Sequence, residues 1–235
     1  VYSIYSSFLF ESQGNFLNVE RKVQQNANEL FKFLGIESEP TPDLVVRHLL
    51  HSSLNRKPIT QEVYVYLSRN IEDPAIEYLK DQKCLCLKTP NGDDEFFNPD
   101  QVFWEQHSFG KYRYRLSPEF GRFKNLFDKI GVKDKPDVHD AIKVLLEISN
   151  EFGTSNLPMT ESKDEEEILI VCWKIISEAL ESDKISKNEI KRKLGNQKTI
   201  PDARKLLTKP ELMFFEDRPG WGEKFKVVKN NLTPR

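Results

Sequence analysis

Leu30–Pro40 reads LFKFLGIESEP and Leu126–Pro136 reads LFDKIGVKDKP, at an offset of 96 (126 − 30). Carried on to Ser53 and Ser149, the same offset pairs Leu30/Leu126, Phe31/Phe127, Gly35/Gly131, Pro40/Pro136, Leu49/Leu145 and Leu50/Leu146 as identities. Each copy predicts the same local structure. A helix ends at the Leu-Phe pair, and the glycine takes the left-handed position just past it. A proline-containing link stops the helix from continuing. A new amphipathic helix then starts near Asp43 or near Asp137–Asp140. The likeness resumes where NPDQVFWEQ (98–106) lies over KPELMFFED (209–217), now at an offset of 111 (210 − 99). The offset has grown by 15 (111 − 96), and the polar, acidic stretch GTSNLPMTESKDEEE (153–167) predicts a surface loop that would account for it. Two matches in the same order indicate an internal repeat.

Within the first copy, the pattern after Asp43–Ser53 predicts a second helix over ITQEVYVYLSRN, with Thr60 as its cap, and a third over DPAIEYLKDQ. The period then drops from 3.6 to 2. KCLCLKT alternates, PNGDD turns and EFFNPDQVFW returns, which is a β-hairpin signature. The second copy follows with EEEILIVCWKIISEALES, SKNEIKRKLGN, strand-like KTIPD and ELMFFED. The expected fold is therefore α+β and mostly helical. It comprises two tandem winged-helix-like units, each a set of helices followed by a β-hairpin, joined by a shared helix near Phe120–Gly131. Residues 1–29 read as the tail of a preceding unit and a lead-in helix, 30–125 as the first repeat unit and 126–235 as the second. Units that share borders suggest an elongated array. A start at Val1 reads as a piece cut from a longer protein.

Composition narrows the function classes. With 16 Phe, 7 Tyr and 3 Trp the chain can build a packed core. Its 35 basic and 37 acidic residues leave no global field to draw it onto nucleic acid or anionic lipid. No apolar run is long enough for a membrane span. Three cysteines fit a reducing compartment, read here as the cytoplasm, rather than a disulfide scaffold.

The motifs that would carry chemistry do not assemble. Cys84 and Cys86 lie two apart on a predicted strand without two further soft ligands, and Cys172 sits alone in an apolar helix; all three read as buried structural cysteines. His48 and His51 have helical metal spacing but no accompanying carboxylate, so a solvated helix face is expected, with His107 and His139 as lone loop histidines. Phosphate-binding glycine loops and the nucleophile elbow are missing from the sequence. Asp137 and Asp140 read as helix caps. No catalytic residue, cofactor, metal or small-molecule substrate is inferred.

Two basic stretches remain. KYRYRL alternates Lys111, Arg113 and Arg115 with Tyr112 and Tyr114, the pattern of an edge strand with a wet cationic face. KNEIKRKLGNQK places Lys191, Arg192 and Lys193 on the helix that would face nucleic acid in a winged helix. Exposed aromatics and cations of the two loops after the hairpins, Phe109, Tyr112, Arg113, Trp221 and Lys224, are the candidates for contact with a protein partner. Phe103, Trp104, Phe214 and Phe215 are expected to pack between hairpin and helices.

LFDKIGVKDKP, FFNPDQVFW and FFEDRPGW resemble the repeated regions that follow the ATPase domain in very large sacsin-like and NO VEIN-like proteins. The likeness runs from about Leu30 to Phe225. It implies a part of a multidomain protein with chaperone-like, complex-remodelling or defence roles, in which a GHKL-type ATP-binding domain lies elsewhere. That domain needs a Glu-x-x-x-Asn helix and an Asp-x-Gly-x-Gly turn, and neither VQQNANEL nor TPNGDDE fits. The nuclease-like C-terminal domain of some such proteins is also missing from this sequence. The expected function is a non-catalytic interaction module that presents surfaces to protein partners or other domains of the same chain, or relays ATPase state. The alternative is a winged-helix-like nucleic-acid-binding module.

Overall fold

The computed structural model describes residues 2–11, 13, 16–17, 19–35, 39–89, 91–106, 108–153, 163–202 and 206–210. The fold is α+β, mostly helical with small antiparallel hairpins. It divides into two compact units: residues 1–104 with 116–133, and 105–115 with 134–235.

Unit 1 opens with a short parallel pair, β1 (Tyr2–Ser3) and β2 (Phe16–Leu17), around a 3-10 helix at Ile4–Leu9. Two short helices follow, α1 (Arg21–Asn26) and α2 (Asn28–Phe33), with Gly35 in the left-handed region at φ 72°. The core begins at α3 (Pro42–Leu54), whose Val45, Val46, His48, Leu49 and Ser52 are buried. Next come α4 (Glu62–Arg69) and, where a third helix is predicted, a 3-10 helix at Pro74–Leu79 capped by Asp73, which accepts from Ala75 N–H at 2.9 Å. The cap of α4 falls at Gln61, one residue past Thr60. The predicted hairpin forms from β3 (Leu85–Lys88) and β4 (Asp94–Phe97), with Leu85 opposite Phe97. A 3-10 turn at Pro99–Gln101 leads to β5 (Val102–Phe103).

Unit 1 is closed by a 3-10 helix at Pro118–Phe123 running into α5 (Lys124–Ile130). Gly131, at φ 112°, ends α5 as the repeat predicts. The Val132 N–H reaches back to Phe127 O at 2.9 Å, and Val132 tucks in behind. The centre of the unit is aromatic. Phe127 is fully buried, edge-on to Tyr64 at 5.2 Å, tilted to Phe123 at 5.8 Å and to Phe120 at 6.0 Å, and stacked on Trp104 at 6.0 Å. Each such pair adds about 0.5–1.5 kcal/mol beyond the burial itself. The Tyr64 hydroxyl donates to Cys84 O at 2.8 Å and accepts from Cys86 N–H at 2.7 Å, so it ties α4 to the first hairpin strand. Phe103 is buried and Trp104 half-buried, as expected for core packing.

Unit 2 contains β6 (Tyr114–Arg115), α6 (Val138–Phe152), α7 (Lys163–Glu181), α8 (Lys187–Leu194) and a hairpin of β7 (Ile200–Pro201) with β8 (Leu207–Thr208). Asp137 caps α6, accepting from His139 and Asp140 N–H at 2.8 and 3.1 Å, while Asp140 accepts from Asp137 N–H at 2.9 Å. This reciprocal box is the capping role read from the sequence. His139 is an exposed residue of the first turn of α6, not of a loop. The core is aliphatic: Val144, Leu145 and Ile148 of α6 meet Leu169, Cys172 and Ile176 of α7, with Leu194 and Leu207 closing the sides. Trp173 donates through Nε1 to Thr199 O at 3.2 Å, again tying the second helix to the residue before the first strand. The return strand is Leu207–Thr208; ELMFFED, with Phe214 and Phe215, lies outside the described residues.

Candidate interaction site

The KYRYRL segment is not the edge strand its alternation predicts. Gly110–Tyr112 is a 3-10 turn, Arg113 is extended and only Tyr114–Arg115 pairs as a strand. The turn is pressed against α7: Gly110 is left-handed at φ 50°, and a Cβ there would stand 2.8 Å from Ile168 Cδ1. A wet cationic face therefore does not form: Arg115 stays exposed, bonding Gln106 at 3.0 Å, and Arg113 and Lys111 go separate ways.

Arg113 is buried. Its guanidinium makes a two-pronged bond to Glu147, Nη1–Oε2 2.9 Å and Nη2–Oε1 3.0 Å, and Nη1 also donates to Tyr112 O at 2.5 Å. Its buried Nε finds no partner among the described residues. Lys111 stays at the surface, 2.6 Å from Glu151 and 3.4 Å from Glu165. Tyr112 donates its hydroxyl to Glu151 at 2.6 Å. Burial alone would raise the Glu151 carboxyl, but the bonds from Lys111 and Tyr112 outweigh it and hold it below the usual glutamate value. The bond to Glu151 raises Lys111, and burial followed by that same carboxylate raises Tyr112. Glu147 and Glu151 lie one helical turn apart on α6, which puts both carboxylates on the face the 109–113 segment covers.

Of the expected contact residues, Phe109, Tyr112 and Arg113 are thus interior. Phe109 is 1% exposed and, with Tyr112, belongs to the core of unit 2. Burial within the unit removes the exposure on which their selection rested, and they anchor the segment instead. Trp221 and Lys224 lie outside the described residues. On α8, Lys191 and Arg192 are exposed, while Lys193 is partly covered and bonds Glu189 at 2.9 Å. Beside Lys111 a hollow of about 400 Å³ is lined by Ser108, Asp164, Glu165, Glu167 and Ile168. Its carboxylates suit a cation rather than a phosphate.

The histidine pair also departs from expectation. His48 is 6% exposed, packed inward from α3, and only His51 is on the solvent side. Burial lowers the His48 pKa, the nearby Glu11 opposes that and His51 reinforces it. Cys84, Cys86 and Cys172 are free and buried; burial pushes all three thiols up, Cys172 to about 12. Thiols so shifted are poor nucleophiles at neutral pH. Among the described residues no three His, Cys, Asp or Glu gather as a metal-ligand set, and no helix is long and apolar enough to cross a membrane.

The fold comprises two helix–hairpin units, in which Arg113 and Tyr112 hold the 109–113 segment to α6 and Tyr64 holds α4 to its hairpin. Human Sacsin is similar to this chain, 26% identical over an alignment of 214 positions that covers 84% of the chain. The chain spans 4% of the length of that protein. No family model matches the chain, and no solved structure matches it.

Proposed function

We propose that the chain is a non-catalytic repeat segment of a large multidomain protein, presenting packed surfaces to protein partners or to other domains of the same polypeptide. The observation that carries this is the recurrence of one frame in both units. The buried Val45, Val46, His48, Leu49 and Ser52 of α3 recur, at the offset of 96, as the buried Ala141, Ile142, Val144, Leu145 and Ile148 of α6. In each unit an aromatic residue of the second helix bonds the carbonyl just before the first hairpin strand. The hairpin register refines the alignment. Leu85 pairs with Phe97, and Ile200 with Thr208, giving offsets of 115 (200 − 85) and 111 (208 − 97). The second copy then has 19 more residues before its hairpin (115 − 96) and 4 fewer within it (115 − 111). A strand order of this kind after three helical segments is winged-helix-like. The likeness to Sacsin supports a place in a chaperone-like chain with an ATPase domain elsewhere, in a reducing compartment such as the cytoplasm. Relay of ATPase state along such an array is the associated role.

A second reading rests on α8, where the exposed Lys191 and Arg192 could meet backbone phosphate. Titrating labelled single- and double-stranded DNA and RNA with the chain across a salt series separates the two. The interaction reading expects no salt-dependent binding. Micromolar binding that weakens steeply with salt and disappears in Lys191→Glu/Arg192→Glu/Lys193→Glu would replace it with the nucleic-acid reading.

A further inference from the structure

Helices α2 and α5 share the Leu-Phe pair at the offset of 96 and differ in how far they are covered: Phe31 of α2 is half-buried and its apolar neighbours are exposed. In α5, Leu126, Phe127 and Ile130 are 1%, 0% and 1% exposed, covered by α4, the aromatic cluster and Trp104 of unit 1. At the offset of 96 these positions are Leu30, Phe31 and Leu34. Leu30 is 55% exposed, Leu34 60%, and the adjoining Phe33 86%. Of the seven large apolar side chains exposed among the described residues, five (Phe8, Val23, Leu30, Phe33 and Leu34) fall before residue 35, so the uncovered apolar surface is concentrated there. Leu30, Phe33 and Leu34 stand three and four residues apart, within one turn, and exposed apolar neighbours of this kind mark a surface built to be covered. A left-handed glycine, Gly35 or Gly131, follows each of the two helices.

We propose that the apolar face of α2 is a docking surface for a further helix–hairpin unit of the same construction, joined ahead of it, which covers Leu30, Phe31 and Leu34 as unit 1 covers α5. This rests on the repeat reading above. Unit 1 shows what the occupant must present: an inward aromatic on its second helix, as Tyr64, and apolar cover from the residues after its hairpin, as Trp104. The rim differs. Asp128, which accepts from Trp104 Nε1 at 2.8 Å, corresponds to Lys32, and Lys129, which reaches Ile71 O at 2.7 Å, corresponds to Phe33. One rim bond is exposed and the other part-buried, and the three central apolar positions, which carry the buried apolar area, decide the fit.

Two tandem fusions test it. In the first, residues 1–123 are followed by 28–235, so that α2 takes the seat of α5 on the upstream copy of unit 1. In the second, residues 1–133 are followed by 38–235, which keeps α5 in that seat. Leu34→Cys is placed in the first fusion at the α2 beside the junction, and in the unfused chain. The native cysteines are buried, so Cys labelling by a thiol reagent reads this position. The expected result is a cooperatively folded first fusion in which labelling is slower than in the unfused chain by about tenfold or more, because it must await local opening. Equal labelling, or a first fusion that does not fold beside a folded second one, overturns the docking surface and leaves the repeat reading intact. Failure of the second fusion overturns the repeat reading and this proposal with it. Labelling in the unfused chain that slows as its concentration rises would show a second copy as the occupant, and would also overturn it.

Discussion

Unit 1 and unit 2 bury the same five positions of their leading helices but fill them differently. Unit 1 places His48 and Ser52 where unit 2 places Val144 and Ile148, so its leading helix contributes less apolar area. The aromatic cluster around Phe127 makes up the difference, with large rings that each bury much area. Unit 2 packs branched aliphatics between α6 and α7 and then seats a buried arginine beside them. Leading helices that bury matching positions thus sit in two core chemistries, one aromatic and one aliphatic with a paired arginine.

The largest effects should separate the two units. Phe127→Ala removes the hub of the aromatic cluster and is expected to cost about 3–5 kcal/mol. Glu147→Gln leaves the Arg113 charge buried without its counterion. Because the Glu147 side chain is 42% exposed, the expected cost is about 2–3 kcal/mol, below the range for a fully buried pair. Trp104 reports on the first unit and Trp173 on the second, so urea unfolding can be followed by fluorescence in single-tryptophan backgrounds that also carry Trp221→Phe. Phe127→Ala should lower the Trp104 midpoint more than the Trp173 midpoint, and Glu147→Gln the reverse. Equal shifts at both probes for both variants would show one cooperative body and break the comparison.

A finer difference lies in the tie between second helix and hairpin. Tyr64 holds two backbone groups in a fully buried setting, whereas Trp173 holds one and is half-buried. Tyr64→Phe leaves Cys84 O and Cys86 N–H each short of a partner and should cost about 1–3 kcal/mol. Trp173→Phe should cost less, about 1 kcal/mol from the hydrogen bond together with a small loss of packing. Chemical denaturation of the two variants checks the order; Trp173→Phe costing more would mean the ties are not equivalent.

These contrasts also show what was legible beforehand. The glycine stop at Gly131, the caps at Asp137 and Asp140 and the order of helices and hairpin all rest on local spacing, which the sequence carries directly. The fate of Arg113 rests on Glu147, thirty-four residues away, and no local pattern links them. KYRYRL alternates like a strand, yet its start lies in the 3-10 turn Gly110–Tyr112, which packs against Ile168, and only the residues from Arg113 on stay extended, so tertiary packing overrides the period. The burial of His48 departs from the local pattern for a related reason. Three-residue spacing to His51 suggests a shared face, but the offset of 96 maps His48 onto the apolar Val144, and that was the signal for burial.

That substitution of histidine for valine in an otherwise common frame gives the smallest and most selective effect. Burial lowers the His48 pKa in the folded chain below the ordinary histidine value of about 6.5. Between the folded and the ordinary value the unfolded chain binds more protons, so stability rises with pH through that window. It is complete above about 6.5 and is lost as pH falls, because the folded state must then either bury a charge or forgo the proton. Glu11 works against this by favouring the charged ring, and His51 adds to it when protonated. His48→Val should therefore flatten the stability of unit 1 between pH 7 and pH 5 without lowering it at pH 7. Urea midpoints at Trp104, taken at a series of pH values in both proteins, make the check. A slope that persists unchanged in His48→Val would place the acid sensitivity elsewhere, and would leave the two leading helices equivalent in charge as well as in frame.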